Sequence, residues 1–130
     1  MLKQSSARGF TLIEVLVVVT LVVILASIGM STYTNSVHRT REAVLKEDLF
    51  RLRDAIDQYY ADKGRYPESL ETLTEQGYLR RIPVDPMTGN ADWEVVPAEP
   101  DPDDPDASGI YDVKSSSTAT ATNGTAYNEW

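Results

Sequence analysis

The chain has 130 residues, with 12 basic against 20 acidic side chains, one histidine and no cysteine. This excludes disulfides, thiolate metal sites and cysteine nucleophiles, and leaves material for one small domain beside any membrane segment. The acid is concentrated in residues 67–130, where 13 carboxylates face only Arg80, Arg81 and Lys114; such a surface repels phosphates, so no nucleic acid partner is expected.

In chain order, a short basic leader (1–9, with Lys3 and Arg8) is followed by an apolar run from Phe10 to Met30 whose single charge is Glu14. As a helix these 21 residues reach about 30 Å, enough to cross a bilayer core. The absence of Lys or Arg from the run until Arg39 places the N-terminus in the cytoplasm and exports the C-terminal part. A cleaved secretory signal has a shorter apolar centre and a small-residue cleavage site. Ala26-Ser27-Ile28-Gly29 matches such a site weakly, and Glu14 argues against it. A plain membrane anchor explains the length but not a carboxylate placed where lipid makes it costly.

Arg8-Gly9-Phe10-Thr11-Leu12-Ile13-Glu14 resembles the class III signal of type IV pilins and type II secretion pseudopilins. The resemblance implies cleavage after Gly9 by a prepilin peptidase and N-methylation of Phe10. It also implies that Glu14 pairs with the new amine of a neighbouring subunit's Phe10 and so sets register during assembly. Physically, Gly9 lets the backbone extend into a protease site without a β-carbon in the way, and two opposite charges buried together are tolerated where one alone is expensive.

The helix is expected to continue from 31 to about 62. Val37, Val44 or Leu45, Leu49, Leu52, Ile56 and Tyr59 recur at spacings of three and four, and the charges from Arg39 to Asp57, Glu42 among them, are read as a solvated or intersubunit face. The combined helix from Phe10 would span 53 residues, roughly 80 Å. Many type IV pilins carry a kinking proline at the position of Ser31; here Gly29 and Ser31 are the points of local weakness. His38 reads as an exposed helix residue. Lys63-Gly64 ends the helix, with Pro67 beyond.

The next segment, Gly64-Arg65-Tyr66-Pro67, is similar to the major, or G-type, pseudopilin of type II secretion. A short helix from Glu68 to Gln76, with Leu70 and Leu73 inward and Gly77 closing it, fits the same pattern. Asp85-Pro86-Met87-Thr88-Gly89-Asn90 matches that family's Asp-Pro-Trp-Gly-Asn segment, with Met87 for Trp and Thr88 inserted. Trp93–Val96 and Gly109–Ser115 read as two strands by their β-branched and aromatic alternation, and the Pro- and Asp-rich stretch between them (97–108) as a loop. Asn123-Gly124-Thr125 reads as a turn, and Tyr127 and Trp130 as an aromatic pair docking on the small sheet.

The expected fold is therefore α+β and pilin-like: a long N-terminal helix (about 10–62, its first half transmembrane or filament core) and a small acidic domain (64–130) of one short helix and a small antiparallel sheet. No nucleophile elbow or phosphate loop is present, so catalysis is not expected. The resemblance also implies a calcium-binding C-terminal loop supplied by Asp and backbone carbonyls. Here Ser115–Thr125 carries Ser, Thr and Asn123 where the family supplies Asp. The candidate ligands left are Asp112 and the loop carboxylates Asp101, Asp103, Asp104 and Asp106, against a need for six to eight oxygens.

The expected role is a structural subunit of a type II secretion pseudopilus, stored in the inner membrane and assembled into a periplasmic or surface filament that helps move folded proteins across the outer membrane. Its partners would be copies of itself, the prepilin peptidase, the inner-membrane assembly platform and minor pseudopilins. A type IV pilus subunit and a monomeric anchored periplasmic binding domain are the alternatives.

Overall fold

The structure, a computed structural model, describes residues 9, 11–105 and 108–130. The chain divides after Val37 into two units, and helix α1, Leu12–Lys63, contributes to both. It starts at Leu12 because Thr11 caps it. The Thr11 hydroxyl accepts the Glu14 backbone N–H at 3.2 Å, and the Thr11 carbonyl takes the first helical bond from Val15. The helix is continuous through Gly29 and Ser31.

In the first unit every large apolar side chain from Leu12 to Met30 is exposed, on all sides of the helix. A helix apolar all round is stable only inside lipid or a bundle of helices. The hydroxyls within and just beyond this stretch suit either setting, since Thr20 donates to the Leu16 carbonyl, Ser27 to Val23, Thr32 to Ile28 and Thr34 to Met30. Each donor is thereby satisfied without water.

The second unit is built on the other half of α1. Leu45, Leu49, Leu52, Ala55, Ile56 and Tyr59 form its buried stripe. Of the two candidates at the start of the stripe, Leu45 is the core residue and Val44 is exposed. The stripe packs in one cluster with Leu70, Leu73, Trp93, Ile110, Val113, Ala121 and Tyr127.

Helix α2 is shorter than the sequence suggests, Leu70–Glu75. Ser69 stops its upstream growth by taking the Thr72 N–H on its hydroxyl. Downstream, Gly77 has φ +81°, and the Gly77 and Tyr78 N–H groups return to the carbonyls of Thr74 and Leu73. That pairing needs a residue in the left-handed region, which glycine supplies without a Cβ penalty.

Strands β1, Glu94–Pro97, and β2, Ile110–Lys114, pair antiparallel with Val95 opposite Val113. The register shifts between Val96 and Pro97, so that Pro97 lies opposite Ile110 and Tyr111 is skipped. Strict alternation would put Ile110 and Val113 on opposite faces. The irregularity lets both be buried while Tyr111 turns outward, its ring edge-on to Tyr66 at 5.7 Å. The loop before the sheet is anchored by Asp85, which is fully buried and accepts from the Met87 N–H and the Ser115 hydroxyl. Trp93 adds its indole N–H to the Pro83 carbonyl at 2.7 Å.

Candidate functional site

The residues expected to serve processing and assembly are Gly9, Phe10 and Glu14, and of these Glu14 lies in the first turn of α1. Gly9 is exposed, with open space around it, and Phe10 lies outside the described residues. Glu14 is exposed; its backbone N–H is bonded to Thr11, while among the described residues its carboxylate has no hydrogen-bond or ion-pair partner. Thr11-Leu12-Ile13-Glu14 has the spacing of a capping box. The hydroxyl half of that box is formed, so the segment organises the helix start and still leaves the carboxylate available.

Residues 119–130 form a second constellation, held against α1. The turn is built as the sequence suggests. Asn123 Oδ1 accepts the Thr125 N–H at 3.0 Å and its hydroxyl at 2.6 Å, and Thr120 and Ala126 form an antiparallel bridge. Tyr127 is buried and its ring meets that of Trp130 edge-on at 5.2 Å.

Docking is on the helix as well as the sheet. Glu42, on the face read from sequence as solvated or intersubunit, is buried. Its two oxygens receive the Thr122 N–H at 2.8 Å, the Thr122 hydroxyl at 2.7 Å and the Tyr127 phenol at 2.9 Å. Arg53, also on that face, donates to Asp112 at 2.7 Å and to the carbonyls of Val113 and Trp130 at 3.0 and 2.9 Å. The Lys46 ammonium sits 4.9 Å above the Trp130 ring. Other charges on the helix do match the expectation, such as the exposed Arg51–Glu47 pair, worth little in water.

Burial pushes the Glu42 carboxyl up, but the Thr122 and Tyr127 hydrogen bonds and the Lys46 charge outweigh it and hold the group below its ordinary value of 4.5. Burial and the Glu42 bond push Tyr127 up. Asp48 runs opposite to Glu42, since its burial raises it. A carboxyl lowered by folding contributes stability that is complete above the unfolded value and lost as pH falls through the folded value. Thermal unfolding of the detergent-solubilised chain from pH 7 downward is expected to show the wild type losing Tm below about pH 4.5 faster than Glu42→Gln does. Parallel curves would remove Glu42 from the acid response.

Among the described residues the expected calcium ligands do not form one cluster. Asp101 and Asp104 pair through the backbone in an exposed loop, Asp101 Oδ1 accepts the Asp103 N–H, and Asp106 lies outside the described residues. Asp112 is engaged by Arg53. Among the described residues no three His, Asp or Glu side chains are grouped to hold a metal ion.

A family model described as the prokaryotic N-terminal methylation motif matches residues 4–30. The type II secretion system core protein G of Klebsiella michiganensis is 31% identical over 111 residues, covering 73% of this chain and 77% of that protein. That of Escherichia coli is 31% identical, covering 83% and 79%, and that of Vibrio cholerae 33% identical, covering 66% and 69%. No solved structure matches. With 31% identity over most of both chains and the methylation motif matched across the apolar run, the chain belongs to the family of type II secretion system core protein G.

Proposed function

We propose that this chain is the repeating structural subunit of a type II secretion pseudopilus. It is a non-catalytic protein held in the inner membrane by α1 and drawn from it into a periplasmic filament. The observation that carries the reading is the apolar half of α1, exposed on every side from Leu12 to Met30 in a chain whose relatives are secretion-system core proteins. Each buried Val, Leu or Ile is worth about 1.5–3 kcal/mol, so the stretch must be covered by lipid before assembly and by copies of itself afterwards.

In this reading the peptidase cuts after Gly9 and Phe10 receives the methyl group. Cleavage also creates a cation. The Gly9–Phe10 peptide bond is neutral, whereas the freed Phe10 amine is charged and is the counter-ion that Glu14 lacks among the described residues. Processing therefore precedes pairing, and pairing fixes which neighbour packs at which height. The assembly platform, the minor pseudopilins and the peptidase are the remaining partners.

The test is to express the chain with its secretion machine, shear and pellet fibres, and determine the N-terminal mass of the fibre protein. A methylated chain beginning at Phe10 within periplasmic helical fibres is expected. A protein that starts at Met1, or after Ser27, and stays a membrane monomer would sink the reading.

A further inference from the structure

The segment 115–130 is rich in small polar residues, contains no cysteine, and yet contributes Ser115, Ala121 and Tyr127 to the buried interior. The resemblance assigns the closing of such a segment to a calcium ion. A cation site needs oxygens converging as acceptors. Here the polarity is the reverse. The N–H and O–H of Thr122 and the O–H of Tyr127 converge as donors on a single carboxylate, that of Glu42. The turn is a concavity for an anion, and α1 supplies the anion.

The acceptors that a cation would take nearby are also committed. The Asp112 carboxylate and the carbonyls of Val113 and Trp130 all accept from one guanidinium, Arg53. A planar cation with several donors is well suited to satisfy one carboxylate and two carbonyls together.

We propose that this chain closes its C-terminal segment without a metal ion: Glu42 and Arg53, one anion and one cation on the same helix, make the cross-link that the family resemblance would assign to calcium. The two lie 11 positions apart on α1, so the segment is held at two points, the turn at Thr122 and the end at Trp130. The proposal concerns the domain alone and stands whether the chain is a filament subunit or a membrane-held monomer.

The experiment uses the full chain in detergent, followed by thermal unfolding and by the rate of chymotrypsin cleavage within residues 119–130, in excess EGTA and in millimolar calcium. Equal Tm and equal cleavage rates in the two buffers are expected. A Tm raised by calcium, or cleavage slowed by it, would overturn the proposal, and this comparison needs no variant. Glu42→Met keeps the volume and removes the acceptor; cleavage is expected to accelerate about tenfold or more, because opening of the segment then costs less. Arg53→Met is expected to act in the same direction. Protection restored to Glu42→Met by calcium, or no acceleration in either variant, would also overturn it.

Discussion

Replacing Glu14 with Ala is expected to abolish fibre formation while leaving the chain inserted in the membrane and processed. Removing one partner of a buried charge pair costs about 3–5 kcal/mol, because the other charge is left uncompensated. The charge left behind would be the Phe10 amine, repeated in every subunit of the apolar filament core. At about 1.4 kcal/mol per factor of ten, each added subunit would lose at least roughly a hundredfold in its equilibrium for joining. Immunoblots of sheared fibres against membranes measure this. The variant should move entirely to the membrane fraction, with its N-terminal mass showing cleavage at Gly9 as in the wild type. Glu14→Gln tests the charge without the volume change and is expected to fail in the same way. Fibre yields at the wild-type level in both variants would remove Glu14 from assembly and reduce it to a helix-start residue working with Thr11.

Leu52→Ala is expected to produce the largest loss of stability. Leu52 has no exposed surface and sits in the middle of the α1 stripe, with Leu45 and Leu49 before it and Ile56 and Tyr59 after it. Truncation removes the transfer energy of the lost carbons and leaves a cavity that a rigid helix cannot close, a loss of about 2–5 kcal/mol. The unit it serves, His38–Trp130, is small, and for domains of this size each kcal/mol moves Tm by about 4–8 °C. A fall of at least roughly 8 °C is therefore expected. Phe50→Ala is the matched control. Phe50 is a larger side chain only two positions away, but it is 66% exposed, so its removal is expected to stay within about 0.5 kcal/mol. Circular-dichroism melts of the two variants side by side decide the point, and equal losses would mean that the burial pattern of α1 is wrong.

What the sequence discloses here is what depends on near neighbours. The apolar run, the stripe from Leu45 to Tyr59, the short helix ended at Gly77 and the Asn123 turn all follow from spacings of a few residues, and all are found. Glu42 and Arg53 are of another kind. Glu42 stands three positions before Leu45 and seven before Leu49, so periodicity alone extends the stripe to it. Its charge set it with exposed neighbours such as Glu47 and Arg51, and its partners Thr122 and Tyr127 lie 80 and 85 positions away, beyond any local signal. The burial of Ile110 and Val113 on one side of β2 was hidden for a similar reason, since the skipped Tyr111 is a property of strand pairing and not of either strand alone. The Thr11 cap was legible: a hydroxyl three residues before a glutamate at the head of an apolar helix is a recognised start signal, overshadowed by the processing motif that contains it.

The reach of these two side chains also orders events in time. Arg53 and Glu42 find their partners across 59 to 85 positions of chain, so the cover over the α1 stripe is incomplete until residues 122–130 arrive. Such distant closures carry the entropy of a long loop and come late in folding. The C-terminal residues are thus the last piece of the domain, and its stripe on α1 stays partly open until they dock.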